Sequence, residues 1–176
     1  MTLPGLVPGL DGYDVLPRGR HTATLEDVHE HFVATRPDCA RRKKLLDDFT
    51  DYVSLLGRLG LAVDCVWLDG SFISGKANPG DVDMTPVIDA VRSSPDPAIL
   101  EDIEDVWITP KHRWKRTPVP GLGRAVELDV YGVVKVPDGH PAYSAYVASR
   151  GYWDDWWQRS RATGQALVKG YVEVVL

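Results

Sequence analysis

The clearest hydrophobic period in the chain runs from about Ala40 to Leu59. Leu45, Leu46, Phe49, Tyr52, Val53, Leu56 and Leu59 recur at helical spacing, and Gly60 stands where a left-handed C-cap belongs. A shorter helix is expected over TLEDVHEHFV: Thr24 sits at the N-cap with Asp27 in the capping-box position, Leu25, Val28 and Phe32 fall on one face, and the helix ends before Pro37. Leu61 to Leu68 is apolar and β-branched, as a buried strand would be, and runs straight into Gly70-Ser71. Asp81 to Val87 reads as a second short strand, bounded by Pro79-Gly80 and by Pro86 near its end.

Later segments are weaker in pattern. Ala125 to Val136 alternates at its start, with Val126, Leu128 and Val130 on one face and Glu127, Asp129 and Tyr131 on the other. That predicts a strand with one functional or solvated face. His140 to Arg161 reads as a helix loaded with aromatics, GYVEVVL as a final strand, and ILEDIEDV after Pro97 as one or two helical turns. Residues 1–20 are rich in proline and glycine and predict an extended arm, which Leu3, Leu6, Val7, Leu10 and Leu16 would drape over a single domain spanning 21–176. The order helix, strand, turn, strand, variable segment, strand, helix, strand predicts an α/β (α+β) protein: a mixed sheet with flanking helices.

Composition narrows this little. At 176 residues, with 44% hydrophobic and 26% charged residues, the chain is large enough for one core and ordinary for a globular protein. No apolar run approaches the roughly 20 residues needed to span a bilayer, so no membrane partner is expected. The N-terminus lacks a basic start followed by an apolar core, so no signal peptide is expected and a cytoplasmic location follows by default. Cys39 and Cys65 are the only two cysteines and lie far apart, which excludes a disulfide scaffold and zinc-ribbon spacing. The net charge of -5 speaks against sequence-independent nucleic-acid binding over a basic face.

The chemistry concentrates in WLDGSFISGKANPGDVDM, Trp67 to Met84. Asp81 and Asp83 are two apart in an extended segment, so both carboxylates project to one side. Such a pair repels unless a cation sits between its members. Hard, all-oxygen ligation suits Mg²⁺, or Mn²⁺ in its place, shared with substrate phosphates. Gly70-Ser71 would supply a tight backbone and a hydroxyl for those phosphates. Nucleotidyl transfer uses two metal ions and commonly a third carboxylate from a neighbouring strand. Asp129 is the candidate, with Glu127 on the same face in reserve.

The Gly-Ser turn, the Asp-x-Asp strand and a later strand with a single Asp resemble the DNA polymerase β-type nucleotidyltransferase superfamily. LPRGRHTATLEDVHEHF at 16–32, WLDGSF, KANPGDVDM and VKGYVEVVL are similar to a family of small, uncharacterised nucleotidyltransferase-like proteins of bacteria and their phages, across nearly the whole chain. The resemblance implies the minimal nucleotidyltransferase fold of that superfamily and transfer of a nucleoside monophosphate from an NTP to a hydroxyl of a protein, an RNA or a small molecule. It implies that Gly70 and Ser71 hold the β- and γ-phosphates and that Asp81, Asp83 and Asp129 are catalytic and bind the metals. A toxin–antitoxin or phage-defence setting is implied as well. The rival expectation is a catalytically inactive module of the same fold that binds nucleotide, nucleic acid or a protein; a third is phosphoryl hydrolysis at the same acidic site.

Other residues stay open between two readings. Lys76 is either a phosphate contact in the nucleotide site or an ordinary loop lysine. KHRWKR, Lys111 to Arg116, is a basic cluster with an aromatic inside it; with Trp114 it suits a ligand and its base, or it is a solvated edge. His29 and His31 do not share a helix face and make a poor metal pair. Trp156 and Trp157 cannot both point inward, so one of them is a candidate partner surface.

Overall fold

The computed structural model describes residues 3–95, 115–160, 166 and 168–176. Its helices and strands are β1 (Val7–Pro8), β2 (Asp14–Val15), β3 (Gly19–Ala23), α1 (Leu25–His29), α2 (Cys39–Arg58), β4 (Val63–Asp69), β5 (Val82–Asp89), β6 (Leu128–Val130), β7 (Val133–Lys135), α3 (Tyr143–Trp156) and β8 (Gly170–Val174). β1 and β2 form an antiparallel ribbon. The remaining strands make one mixed sheet in the order β3-β8-β4-β5-β6, with β7 following β6 along β5. The architecture is α+β, a mixed sheet with flanking helices, as the pattern predicts. Among the described residues no helix is long and apolar enough to cross a membrane.

α2 forms where the stripe predicts it. Leu45, Leu46, Phe49, Tyr52, Leu55 and Leu56 are buried, and the helix lies against β4 and β6. It stops in a Schellman motif: Leu61 N donates to Leu56 O, Gly60 N to Gly57 O, and Gly60 takes φ 80°. A β-carbon at Gly60 would also lie 2.5 Å from the Ser94 carbonyl oxygen, so the chain needs glycine there twice over. The predicted capping box is present, with Asp27 N donating to Thr24 Oγ1 and Thr24 N to Asp27 Oδ2. α1 then loosens into a π-helical turn over Glu30–Ala34 that the spacing does not announce.

The sheet has two unlike faces. Side chains of paired residues share a face, so the pairs Leu68↔Met84, Val82↔Leu128, Met84↔Val130 and Val66↔Val174 form one apolar layer, fully buried. The opposite face carries Trp67, Asp69, Asp83, Thr85, Asp129, Tyr171 and Glu173. α3 covers part of it: Trp157 Nε1 donates to Thr85 Oγ1 at 2.9 Å, the Tyr171 hydroxyl donates to Asp154, and Trp153 and Trp157 pack on Tyr131. Of the adjacent tryptophans Trp157 is buried, while Trp156 is half-buried and stacks on the exposed Tyr152.

Three expectations are corrected. Pro86 does not bound its strand, since β5 continues to Asp89. It falls between the Met84↔Val130 and Val87↔Val133 pairs, where β6 gives way to β7 and the interrupted ladder tolerates a residue without an N–H. Ala125–Val136 is two short strands rather than one. The segment 1–20 is not irregular throughout: it holds the β1–β2 ribbon and the start of β3, and buries Leu3, Val15 and Leu16 while Val7 and Leu10 stay exposed. The final strand forms where GYVEVVL predicts it and lies inside the sheet, parallel to β3 and antiparallel to β4. The helical turns expected after Pro97 lie outside the described residues.

Candidate functional site

β4 and β5 are antiparallel with Asp69 opposite Asp83, and β5 and β6 are parallel with Asp83 opposite Asp129. Three aspartates therefore stand in one row across three neighbouring strands, on one face, with strands about 5 Å apart. Asp81 lies just before β5 on the side of Asp83. The structure thus sets Asp83 and Asp129 side by side with Asp81 at the entry to β5, and adds Asp69 on the other side of Asp83.

This row is deep. Asp69 is 4% exposed and Asp129 2%, so their charges need partners. Lysines from remote segments supply them. Lys169, at the entry to β8, donates to Asp69 Oδ1 at 2.6 Å. Lys115 pairs with Asp81 and reaches Asp129 Oδ1 at 3.5 Å. Lys115 belongs to the basic cluster singled out in the sequence; Lys111 to Trp114 lie outside the described residues.

Gly70 follows Asp69 at φ 76°, and a β-carbon there would lie 1.9 Å from Asp83 Oδ2. The Asp83 carboxylate thus occupies the space that glycine leaves open, which ties the turn and the aspartate row into one unit. The loop after it is held from below by Arg42, 1% exposed on α2. Its guanidinium donates to the carbonyl oxygens of Phe32, Phe72, Ser74 and Lys76 and, through Nε, to Asp38 at 2.9 Å. Asp38 in turn accepts from Asn78 N at 2.8 Å. Burial pushes the Asp38 carboxyl up, but the Asn78 N–H and Arg42 outweigh it and hold its pKa below the ordinary value. Within the loop, Ser71 O accepts from Ser74 Oγ, and Phe72 and Ile73 are buried. The Lys76 side chain, exposed, lies with Nζ 6.0 Å over the Tyr13 ring.

Glu127 does not stand in reserve for Asp129. It is bound by Arg41 and by Lys44 at 2.8 Å, and these bonds outweigh burial to hold its pKa low. Its N–H donates to Asp48 at 3.1 Å, so it belongs to the seam between α2 and β6.

The residues fit a hard divalent cation in chemistry only: the candidate ligands are all carboxylate oxygens and stand on or beside adjacent strands. As the side chains stand, no three His, Cys, Asp or Glu among the described residues converge closely enough to hold an ion; Lys115 stands among the aspartates.

Sequence reasoning missed Asp69, Lys169 and Arg42. Asp69 had a visible signal, a charge closing an apolar run immediately before Gly70. Lys169 and Arg42 had none, because both act across long sequence separations.

No curated protein and no solved structure matches this chain. A family model does: the family of unknown function DUF6932 matches residues 8–175, and the chain belongs to that family.

Proposed function

We propose that the chain transfers a nucleoside monophosphate from an NTP to a hydroxyl acceptor on a protein, an RNA or a small molecule, at the aspartate row. The observation that carries this reading is the register Asp69–Asp83–Asp129 built against Gly70. Like charges stacked on neighbouring strands weaken a fold unless the site serves a cation. Asp81, Asp83 and Asp129 would hold Mg²⁺, which when bound would neutralise the phosphates and activate the acceptor hydroxyl. Gly70 and Ser71 would hold the β- and γ-phosphates. Asp129 would orient the acceptor hydroxyl and take its proton as the oxygen bonds to the α-phosphorus and the bond to pyrophosphate breaks.

A second reading is favoured by the lysines. Asp69 and Asp129 already carry Lys169 and Lys115, as in a non-catalytic module that keeps the fold to bind nucleotide, nucleic acid or protein. Incubation with each α-labelled NTP, Mg²⁺ and a lysate separates the two. Transfer predicts a labelled acceptor that disappears with Asp83→Asn and with Asp129→Asn, each shown to be folded by its melting curve. Labelling that survives Asp83→Asn sinks the catalytic assignment, and NTP bound without any transfer supports the module. Phosphate release from NTP without an acceptor would instead mark a hydrolase.

A further inference from the structure

We infer that Lys115 is a resident stand-in cation that exchanges its aspartates for the triphosphate when a divalent ion enters. The inference rests on the reading of the aspartate row as a metal–triphosphate site and gives Lys115 a role in it. A carboxylate buried as deeply as Asp129 needs a positive charge in the ion-free protein. Lys115 provides it, and reaches Asp81 with the same ammonium. One ammonium placed between the start of β5 and the middle of β6 occupies the space in which an ion shared by these carboxylates would lie.

Its chemistry suits exchange. Lysine carries a compact charge on a flexible stem, without the planar fork that fixes arginine to one carboxylate. Lys115 lies in a turn, outside every helix and strand, so its side chain can swing without disturbing the ladder. A divalent ion brings twice the charge of one ammonium to the same oxygens. An ammonium displaced there meets the phosphate oxygens that arrive with the ion, and lysine serves phosphate well as a point charge. Arg42 and Lys169 differ from it. Arg42 is locked by carbonyl groups, and Lys169 serves Asp69 alone among the contacts described here.

The exchange predicts effects of opposite sign from one substitution. Mn²⁺ binding by the full chain is measured by electron paramagnetic resonance, first without nucleotide and then with the non-transferable analogue α,β-methylene-ATP. Relative to wild type, Lys115→Met should bind Mn²⁺ alone about tenfold tighter and the Mn²⁺–analogue complex about tenfold weaker, the scale of one charged hydrogen bond. Lys115→Arg, which keeps the charge, should hold Mn²⁺ alone no more tightly than wild type. If wild type binds Mn²⁺ and Lys115→Met shifts both affinities the same way or neither, the inference is overturned while the metal site stands. Tightening by Lys115→Arg equal to that by Lys115→Met also overturns it, because charge would not be the cause. If wild type and both variants bind no Mn²⁺ with or without the analogue, the reading of the site itself fails and takes the inference with it. Metal-free melting curves of the variants show whether a changed affinity reflects the site or the fold.

Discussion

Two groups of charge lie in or against the core of this protein, and they are solved differently. On α2, Arg42 and Asp48 are each about 1% exposed and each is surrounded by opposite partners. Arg42 meets main-chain carbonyls and Asp38. Asp48 accepts from Arg124, from Lys44 at 2.9 Å and from Glu127 N. Across the sheet, Asp69, Asp83 and Asp129 are instead registered against one another, and Asp69 and Asp129 are neutralised by lysine side chains reaching in from outside the strands. The first arrangement is what burial demands of a charge that holds a fold together. The second gathers charges of one sign where stability alone would separate them. Under the proposed function, the aspartate row is where the chain would give up stability for chemistry.

That contrast can be broken by mutation. The largest effect is expected at Arg42: Arg42→Met takes the cation from Asp38 and the donor from several loop carbonyls and should lower stability by about 3–5 kcal/mol in urea unfolding. A loss near zero would mean that the loop does not depend on its clamp. Next is Asp48→Asn, expected to lower stability at pH 7 by about 2 kcal/mol through weakened bonds to Arg124 and Lys44. It also carries a pH signature. Burial raises the Asp48 carboxyl, but Arg124, Lys44 and the Glu127 N–H outweigh it and hold its pKa below the ordinary value. A carboxyl depressed in the folded state stabilises fully above its unfolded pKa, about 4, and that contribution is lost as pH falls through the lower folded value. Wild type should therefore lose stability below about pH 4 more steeply than Asp48→Asn, which unfolding at pH 7 and pH 3 compares directly. The smallest effect, and the sharpest for the contrast, is Asp83→Asn. Asp83 is half-buried rather than sealed in and faces like charge on both neighbouring strands, so metal-free stability should stay within about 1 kcal/mol of wild type. A loss as large as that of Asp48→Asn would place Asp83 with the structural charges instead.

The legible parts of this molecule are those decided locally. The stripe and C-cap of α2, the Thr24–Asp27 box and the Asp-x-Asp strand each follow from neighbours a few positions apart. Asp129 was legible as the polar face of an alternating strand, although that face is buried rather than solvated. What escaped was set by distant partners. Arg42 lies between Arg41 and Lys43 and reads as one more surface cation on a helix; only the folded loop above it supplies the carbonyls that allow its burial. Lys115 reads as part of a basic run, and Lys169 as an ordinary polar residue before a strand. Their roles depend on β4, β5, β6 and β8 lying side by side, which no short window contains.

The position of β8 carries a consequence for assembly. Gly170–Val174 fills the slot between β3 and β4, pairing parallel with one and antiparallel with the other. Until that segment arrives, β3 has no place in the main sheet and β4 presents an open edge. Both are short, sticky templates for a wrong partner. The chain must hold this gap through the making of everything from β4 to α3, and non-local pairings of this kind form slowly. Lys169 enters with the same strand and reaches Asp69 only when β8 docks. Asp69 thus gains Lys169 only once β8 is in place, and a chain that lacked this docking would expose an unpaired strand edge beside an acid without that lysine.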